Sequence, residues 1–394
     1  MSLRTKMNLR GRRIHIVGSA DPESDEKKLS YVHAVISELT LALASAGSTF
    51  VIPFGKEPLL KERTDGPSII FDWTVAEAAN RALKDRQAQP SGPNGRLIAT
   101  LATSKTDTQI PARLRPIYDD LRENAAVSLE FLDPGWSAGA VRRARLAQLG
   151  DIMIGVSGGQ GVEQLAIEYS SKGKPVIPLD VQVGASLRDG SGGASRLFDR
   201  ALAQPNDFFR VADGESPSDL LERTRTRNGE RPIGEVVAAI IELLHALTPP
   251  RVFYVRLLND SFPEFASVES FFRNTVDVLV RELGYEPIQM GIGRNEFAWM
   301  NQAIFDSLHH SSVVLVDLTA LRPNCFMELG YALGNQQRVI VAARDDTKIS
   351  FDAFALEAFQ WKIAEDNGAR IDRFRTHWER NINMPTLVRP KEAK

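Results

Sequence analysis

Short apolar segments alternate with longer amphipathic ones along most of this 394-residue chain, and that alternation is the strongest constraint on its fold. Residues 13–19, Arg-Ile-His-Ile-Val-Gly-Ser, predict a buried strand that ends in a glycine turn, and residues 28–46 then carry apolar side chains at helical spacing. The same patterns predict strands at 49–53, 97–101, 152–156 and 175–179, and helices at 138–149 and 161–171. Because strands that alternate with helices pair in parallel and are covered on both faces, the chain is predicted to be an α/β protein.

A pair of prolines divides this pattern into two series. The helix predicted at 233–247 runs into Thr248-Pro249-Pro250, which cannot continue a helix, and a new strand is predicted at once at 251–255. The rest of the second series consists of helices predicted at 267–283, 295–309 and 325–334, and strands predicted at 285–289, 312–317 and 338–343. We therefore predict two α/β domains, residues 1–248 and 249–394, each built on a parallel sheet.

Composition narrows the classes of function. The formal net charge of −2 argues against a general nucleic-acid-binding protein. No run approaches the roughly 20 apolar residues that a membrane-spanning helix needs, so no membrane association is expected. The single cysteine, Cys325, excludes an intrachain disulfide and a cysteine-cluster metal site. These features predict a soluble protein of the reducing cytoplasm that holds no metal.

Two glycine-rich turns follow predicted strands in the first domain. Gly18 and Ser19 begin one of them, and Gly158, Gly159 and Gly161 belong to the other. Glycines at such turns let backbone N–H groups approach an anion, and the helix that follows adds the positive end of its dipole. Both turns are expected at the carboxyl edge of the sheet, where ligands of parallel sheets bind. They predict a nucleotide-binding crevice, although any tight strand-to-helix connection can also use glycine.

The segment around the second turn resembles the SLOG superfamily, which includes the LOG-type phosphoribohydrolases. Those enzymes carry an Arg-Lys pair before an aspartate-led strand and then Pro-Gly-Gly-x-Gly-Thr-x-x-Glu. Here Ala140-Val141-Arg142-Arg143 precedes Gly150-Asp151, and Ser157-Gly158-Gly159-Gln160-Gly161 follows the strand. The resemblance covers about residues 14–180 and implies a Rossmann-like domain. It places Arg142 at the family's active-site arginine, and it implies that Arg143, the glycines and Glu163 contribute to the pocket. For the two arginines alone, a solvated helix face is the structural alternative.

Three departures from the SLOG motif change what the resemblance implies. Ser157 stands where the family has proline, Val162 where it has threonine, and Leu165 where the enzymes place their catalytic glutamate. Leucine can neither transfer a proton nor stabilise a sugar cation, so the resemblance implies a pocket that holds a nucleotide without hydrolysing it. SLOG domains fused to bacterial defence effectors are thought to sense ADP-ribose-derived signals, including cyclic ADP-ribose isomers. The resemblance implies that kind of ligand here.

Acidic and polar side chains also follow the strands of the second domain. Asp317 ends a predicted strand, Asn324 follows it, and Glu328 lies near the start of the next predicted helix. Asp306 in the preceding helix and Tyr254 in the first strand complete a set that a parallel sheet could bring to one rim. A glutamate near a helix N-terminus also stabilises the helix dipole, which gives Glu328 a purely structural alternative.

The string from Val313 to Gly334 resembles the nucleoside 2-deoxyribosyltransferase-like superfamily, which is structurally related to TIR domains. Members typically read Asp-Leu-Thr, then Asn-Pro-Asn, then a glutamate followed by Leu-Gly-Tyr-Ala. The corresponding segments here are Asp317-Leu318-Thr319, Arg322-Pro323-Asn324 and Glu328-Leu329-Gly330-Tyr331-Ala332. The resemblance covers about residues 251–345 and implies a flavodoxin-like or TIR-like parallel-sheet domain.

The same resemblance implies roles for individual residues. Glu328 falls at the catalytic nucleophile, Asp306 at an acidic substrate-positioning residue, and Tyr254 at the active-site tyrosine. Asp317 and Asn324 belong to the motif that surrounds the nucleophile. Arg322 stands where the transferases carry an aspartate, which argues against simple deoxynucleoside exchange and would suit a phosphorylated substrate, although Arg322 could equally be solvated.

Together the two resemblances imply a signal-activated N-glycosidase of anti-phage defence. The second domain would cleave the ribose–base bond of NAD or a related nucleotide after the first domain binds an ADP-ribose-type signal. NAD would be a substrate, so no cofactor is expected. Self-association into a homo-oligomer is expected, because TIR-like sites are often completed by a neighbouring subunit. The alternatives are a constitutive nucleoside or nucleotide hydrolase, a deoxyribosyltransferase, and a nucleotide receptor without enzymatic activity.

Overall fold

The described residues form two compact units, one that ends at Thr248 and one that begins at Pro249. A computed structural model describes residues 7–59, 67–85, 97–101, 106–131, 138–183, 193–212, 214–226, 229–289, 297–349 and 357–382. Within these ranges, no helix combines the length and the apolar character needed to cross a membrane.

The first unit contains a six-stranded parallel sheet. Its strands are β1 (Arg13–Ser19), β2 (Thr49–Phe54), β3 (Leu97–Leu101), β4 (Val127–Phe131), β5 (Ile152–Ser157) and β6 (Val176–Leu179). Its helices are α1 (Glu26–Ser45), α2 (Asp72–Asp85), α3 (Thr106–Gln109), α4 (Arg115–Glu123), α5 (Ala138–Leu149), α6 (Gln160–Ser170), α7 (Ala194–Ala203), α8 (Pro217–Glu222) and α9 (Ile233–Ala246). Because β-helix-β crossovers are right-handed, this connectivity places helices on both faces of the sheet.

The order of the strands places a topological switch point in the first sheet, and we call the carboxyl edge at that point the crevice. The strands lie in the order β4-β3-β2-β1-β5-β6, so the chain moves outward from β1 to β4 and then returns to the other side of β1. β1 and β5 pair in parallel from Ile14 opposite Ile152 through Ser19 opposite Ser157. Doubly wound sheets bind ligands at the carboxyl edge of the strands between which the order reverses. In this unit that edge lies between the ends of β1 and β5, where both glycine turns begin.

The second unit contains a five-stranded parallel sheet. Its strands are β7 (Arg251–Val255), β8 (Glu286–Ile288), β9 (Val313–Asp317), β10 (Arg338–Arg344) and β11 (Phe359–Trp361). Its helices are α10 (Phe265–Phe271), α11 (Asp277–Glu282), α12 (Phe297–His309), α13 (Pro323–Gly334) and α14 (Asn367–Asn381). The strands lie in the order β11-β10-β9-β7-β8, which read from the other edge is the flavodoxin-like order 2-1-3-4-5. The order reverses between β7 and β9.

Different helices cover the two faces of the second sheet. Tyr254 and Leu315 point to one face and pack in a cluster with Phe271 of α10, Leu279 of α11 and Trp378 of α14. Side chains of the alternate positions point to the other face. Phe253, Val255, Val314 and Val316 pack there with Leu308 of α12 and with Cys325 and Leu329 of α13. The period of two along each strand therefore separates α13 from Tyr254 by the thickness of the sheet.

The predicted α/β class and the two parallel sheets are confirmed, and the predicted strands agree with the structure to within one residue at each end. One predicted helix differs in kind. The segment predicted as a single helix at 267–283 is α10 and α11 joined by a wider π-helical turn at Phe272–Val276. The predicted ranges do not include eight of the named elements: β4, β11, α2, α3, α4, α7, α8 and α14.

A substitution at Gly18 can test whether the fold requires the close approach of β1 to β5. A Cβ atom added at Gly18 would lie 1.7 Å from the carbonyl oxygen of Val156, a backbone atom that cannot move without breaking the strand pairing. We expect Gly18→Ala to lower the free energy of unfolding of the first unit by about 3 kcal/mol or more. The measurement is the midpoint of urea-induced unfolding.

Gly55, directly after β2, provides the matched control. A Cβ atom there would have no heavy atom of the described residues within 4 Å, so Gly55→Ala should change the midpoint little. Equal midpoints for the two variants would show that the approach of β1 to β5 is not restrictive.

Candidate active site

The two glycine turns of the first unit contact each other directly. The backbone N–H of Gly158 donates to the carbonyl oxygen of Ser19 at 2.7 Å. Gly158 has a φ of +79°, a conformation that side chains disfavour, and an added Cβ atom would lie 2.4 Å from Cγ2 of Val162. The turns after β1 and β5 therefore form one continuous rim at the switch point of the sheet.

The departure from proline at position 157 has a physical reason. Ser157 is buried and has a φ of +50°. Proline is restricted to a φ near −65° and cannot adopt this conformation. A non-glycine residue in the left-handed region stores about 1–3 kcal/mol of strain, and such strain is concentrated at functional sites. The path of this turn therefore differs from the one that a proline at position 157 would require.

Glu163 connects the second glycine turn to α7. Its Oε1 accepts a hydrogen bond from the backbone N–H of Gly193 at 2.9 Å and lies 3.7 Å from a guanidinium nitrogen of Arg196. Gly193 precedes α7 and packs so closely on the turn that an added Cβ atom would lie 2.0 Å from the carbonyl oxygen of Gly158. The structure thus gives Glu163 a role in holding the wall of the crevice.

The N-terminus of α6 faces the same rim. Gly159 is the N-cap residue of this helix. Gly161 is exposed in its first turn, where an added Cβ atom would have no heavy atom of the described chain within 4 Å. Glycine in a helix costs about 1 kcal/mol relative to alanine, and no neighbouring protein atom among the described residues requires it here. Leu165, at the position of the family's catalytic glutamate, is buried in the core. No carboxylate from that position of α6 can reach a ligand.

The two arginines of α5 have different surroundings. Burial lowers the pKa of Arg142, and the charge of Asp72 opposes that effect. Its Nε is buried and has no hydrogen-bond partner among the residues that the structure describes. Arg143 is half-buried and lies near Gly139. A solvated helix face therefore does not describe Arg142.

In the second unit, Glu328 is the sixth residue of α13 and lies in the second turn of that helix. The first turn of α13 contains no acidic residue, so stabilisation of the helix N-terminus does not explain Glu328. Its carboxyl group is half-buried, and burial raises the pKa of Glu328 to about 7. Within the described part of the chain, no cationic group contributes to that shift. A partly desolvated carboxylate without a counter-charge is the kind of group that active sites contain.

Asp317 has a mainly structural environment. It is buried at the end of β9, where its two carboxylate oxygens accept hydrogen bonds from the indole Nε1 of Trp361 at 3.0 Å and from the backbone N–H of Thr319 at 3.1 Å. Burial raises the pKa of Asp317, and these hydrogen bonds oppose the shift. The charges of Glu328 and Asp317 both act on Cys325, where burial is the largest cause that raises the thiol pKa to about 12. The structure therefore brings these two carboxylates to one neighbourhood.

Tyr254 does not join that neighbourhood as the resemblance implied. Its side chain points to the face of the sheet opposite α13, and its hydroxyl donates to Oδ1 of Asp277 in α11 at 2.9 Å. Burial, followed by the charge of Asp277, raises the pKa of the phenol. A tyrosine sealed between the sheet and α11 is a core residue, because its hydroxyl already has its partner there.

Asp306 and Asn324 are both exposed. The Asp306 carboxylate lies 3.4 Å from Nδ1 of His310, one turn further along the chain, and 71% of its side chain is accessible. The helix that carries Asp306 nevertheless packs on α13, because Phe305 contacts Tyr331 at a ring separation of 4.9 Å. Asn324 lies in the first turn of α13, four residues before Glu328 and therefore on the same side of the helix.

Two arginines at this edge hold aromatic or polar partners. The guanidinium of Arg322 lies 4.5 Å from the ring centroid of Phe262, which is a cation–π contact rather than a solvated position. Arg256, directly after β7, is buried, pairs with Glu269 at 2.6 Å and donates two hydrogen bonds to the Gln289 side-chain oxygen. Arg256 was not among the residues singled out in the sequence, although an arginine inside the apolar run Phe-Tyr-Val-Arg-Leu-Leu was a visible signal.

A cavity of about 610 Å³ opens elsewhere in the second unit, between β11 and α14. Arg373, His377 and Arg380 line it, but Glu328 does not. Arg373 pairs with Glu365 at 2.9 Å and Arg380 pairs with Glu357, so both arginines are neutralised within the protein. Among the described residues, no group of histidine, cysteine and acidic side chains could hold a metal ion.

These features define a two-unit, doubly wound α/β protein with one crevice at a glycine-lined switch point and one half-buried carboxylate on a helix beside a second sheet. Comparison with known proteins identifies its family. The chain belongs to the family described as ATP nucleosidase Cap17-like, N-terminal, whose model matches residues 9–244. The match lies within the first unit and ends before Pro249.

The relatives found by sequence are two proteins named ATP nucleosidase Cap17, one from Escherichia coli strain KTE188 and one from Escherichia coli. Each is 22% identical to this chain over 231 residues, which is 59% of this chain and 44% of the relative. The chain thus aligns with less than half the length of these relatives.

Among solved structures, a family 3 β-N-acetylglucosaminidase from Paenibacillus sp. str. FPU-7 matches with 12% identity and a TM-score of 0.22. The coverage is 96% of this chain and 97% of that one. With so low a TM-score, the similarity does not inform the fold or the function of this chain.

The environment of Glu328 predicts a change in stability. Because the folded state raises the pKa of Glu328 from 4.5 to about 7, ionisation of this group opposes folding. We expect Glu328→Gln to increase the free energy of unfolding by about 1–2 kcal/mol at pH 8, after allowance for partial exposure. The gain should vanish below pH 4.5, where the group is protonated in both states, and reach its maximum above pH 7.

The measurement is urea-induced unfolding at pH 4 and at pH 8. Glu379→Gln, on the exposed side of α14, is the matched control and should leave the midpoint unchanged at both values. A loss of stability in Glu328→Gln at pH 8 would mean that the carboxylate has a stabilising partner.

Proposed function

We propose that this protein is a nucleotide N-glycosidase in which the first unit binds a nucleotide signal and Glu328 of the second unit acts on the substrate. The observation that carries the proposal is the Glu328 carboxyl group, which is half-buried in the second turn of α13 with no cation among the described residues to lower its pKa. Such a group is destabilised by its surroundings, and a positive charge that develops beside it would relieve that destabilisation.

The chemistry fits an N-glycosidic bond. As the bond between C1′ and the base nitrogen breaks, its electron pair leaves with the base and the sugar carbon gains oxocarbenium character. The ionised Glu328 carboxylate stabilises that cation or bonds to it. Water then supplies the oxygen at C1′. One proton of that water ends on the released base when the base is adenine, whereas it passes to solvent when the base is nicotinamide, because nicotinamide leaves from its pyridinium form as a neutral molecule. The thiol of Cys325 takes no part as a nucleophile, because its pKa of about 12 keeps it protonated.

Two substrates are proposed. The relatives carry the name ATP nucleosidase, which supports ATP, with adenine as the released base. NAD, with nicotinamide as the released base, is the substrate that the likeness to TIR-related domains suggests. The contact of Arg322 with Phe262 fixes a cation at the start of α13, and this cation would suit the phosphate groups of either molecule.

The first unit is proposed to bind its nucleotide without cleaving it. Its glycine turns and the N-terminus of α6 offer backbone donors to a phosphate, whereas Leu165 is buried and cannot supply a catalytic carboxylate. An ADP-ribose-type signal, activation through a homo-oligomer and a role in anti-phage defence complete the proposal. A constitutive hydrolase would instead turn over its substrate without any added signal.

Release of free base tests the proposal. We expect the purified protein to release adenine from ATP or nicotinamide from NAD, with a rate that increases when a cyclic ADP-ribose isomer is added. Glu328→Gln should lower kcat/KM by about 1,000-fold or more, because the amide cannot stabilise a cation, whereas Glu379→Gln should stay within about twofold. Chromatography of the reaction mixture separates the two bases and identifies the substrate.

The pH profile gives a second test. Because the active form of Glu328 is the carboxylate and its pKa is about 7, kcat/KM should rise about tenfold per pH unit below pH 7 and level off above it. Full turnover by Glu328→Gln would remove this residue from the mechanism. Absence of turnover in the parent protein with every substrate and signal would favour a nucleotide receptor.

A further inference from the structure

Two oppositely charged side chains of the first unit bury polar atoms without hydrogen-bond partners. Oδ1 of Asp72 and Nε of Arg142 are both shielded from solvent, and neither has a partner among the residues that the structure describes. Burial is the largest influence on each group: it raises the pKa of Asp72 to about 7 and lowers that of Arg142. Their charges act on each other, but these two atoms do not meet in a hydrogen bond. Unsatisfied buried groups of this kind destabilise the folded state and are rare in proteins, so they call for an explanation.

Asp72 lies beside the first glycine turn. The chain just before it pairs with that turn, since Ile70 forms an antiparallel bridge with Ser19 and the Ala20 N–H donates to the Ile69 carbonyl oxygen at 2.7 Å. These backbone contacts fix the start of α2 against the end of β1. The carboxyl group of Asp72 therefore belongs to the same edge of the sheet as the glycine turns.

The start of α2 also reaches the end of β2. The indole Nε1 of Trp73 donates to the carbonyl oxygen of Gly55, directly after β2, at 3.2 Å. In doubly wound sheets a phosphate occupies the turn after the first strand, and an acid at the end of the adjacent strand binds a ribose hydroxyl. Asp72 provides an acid on that side of the turn, although it comes from a helix start and not from the strand itself.

The surroundings of Arg142 leave its charge available for an anion. His15, the neighbouring titratable group on β1, is fully buried, and its Nδ1 lies 3.1 Å from the hydroxyl of Tyr169. Burial, followed by the charge of Arg142, lowers the pKa of His15 to about 3, so this ring is neutral at pH 7. Asp72 is the group whose negative charge acts on Arg142, and it is partly protonated near neutral pH.

We propose that Asp72 accepts a hydrogen bond from the ribose 2′-hydroxyl of a ribonucleotide whose phosphate binds at the glycine turns beside Arg142, so that the first unit selects ribonucleotides over 2′-deoxyribonucleotides. This inference rests on the proposed function and adds the residue that recognises the ribose of the nucleotide. A ligand hydroxyl would satisfy the buried carboxylate oxygen, and a phosphate would compensate the guanidinium. A site built to bind a hydroxyl rejects the analogue that lacks it, because the buried acceptor is then left without a partner.

The test compares the binding of ATP and 2′-deoxy-ATP to the full chain by calorimetry, in the Glu328→Gln background so that neither ligand is consumed. We expect ATP to bind about tenfold more tightly than 2′-deoxy-ATP, or more. Asp72→Ala should reduce that ratio to below about threefold by weakening ATP alone. Arg142→Gln should weaken both ligands by a similar factor and leave the ratio unchanged.

Glu77→Ala is the matched control, because Glu77 is an exposed acid of the same helix, and it should leave both affinities unchanged. Equal binding of the two ligands by the background protein, or an unchanged ratio in Asp72→Ala, would overturn the assignment of Asp72 while leaving nucleotide binding intact. Absence of binding by both ligands would overturn the assignment of Asp72, and if a cyclic ADP-ribose isomer also failed to bind, the proposed role of the first unit would be overturned with it. Equal binding of the two ligands would overturn the assignment without any variant at Asp72, so the proposal stays falsifiable even if Asp72→Ala fails to fold.

Discussion

The parallel pairing of β1 with β5 is the contact on which the first unit depends. It brings together two strands that are distant in the sequence, and the lack of a side chain at Gly18 lets the Val156 carbonyl oxygen approach. Because the pairing extends to Ser19 and Ser157, the two glycine turns begin side by side, and a single hydrogen bond from Gly158 to Ser19 joins them. The crevice is thus a direct result of strand order, and its walls are the segments that strand order leaves adjacent.

In the second unit, the carboxylates of Asp317 and Glu328 differ in the partners that the protein gives them. Asp317 is buried but has hydrogen bonds from Trp361 and Thr319, so its charge is accommodated by the fold. Glu328 is less deeply buried, yet no cation of the described residues compensates its charge, and its pKa rises to about 7. Burial alone does not distinguish these two residues. The distinction lies in whether the described residues supply hydrogen-bond donors or a counter-charge, and the absence of a counter-charge is the reason why we propose a catalytic role for Glu328 and not for Asp317.

Much of this architecture could be predicted from the sequence. Apolar runs predict the strands and helices, and glycine or proline residues predict where these elements end. The strand that begins directly after the two prolines and the ends of most described strands follow from that local information. The environment of side chains is not local information. The motif that contains Tyr254 implied an active-site role, but the alternation of side chains along β7 sends this residue to the face opposite α13. The role that we propose for Asp72 depends on the bridge between Ile70 and Ser19, a contact between segments far apart in the sequence.

In each sheet, the described strands pair only with strands of the same unit. The proline pair at residues 249–250 lies at the boundary between the two units. The family match stops just short of those prolines. A recombination event at this point would separate no paired strands of the described sheets, so either unit could be joined to a different domain without loss of its own strand pairing. The junction at residues 248–250 is therefore a point at which one domain could be exchanged for another during evolution, while the hydrophobic core of each unit stays unchanged.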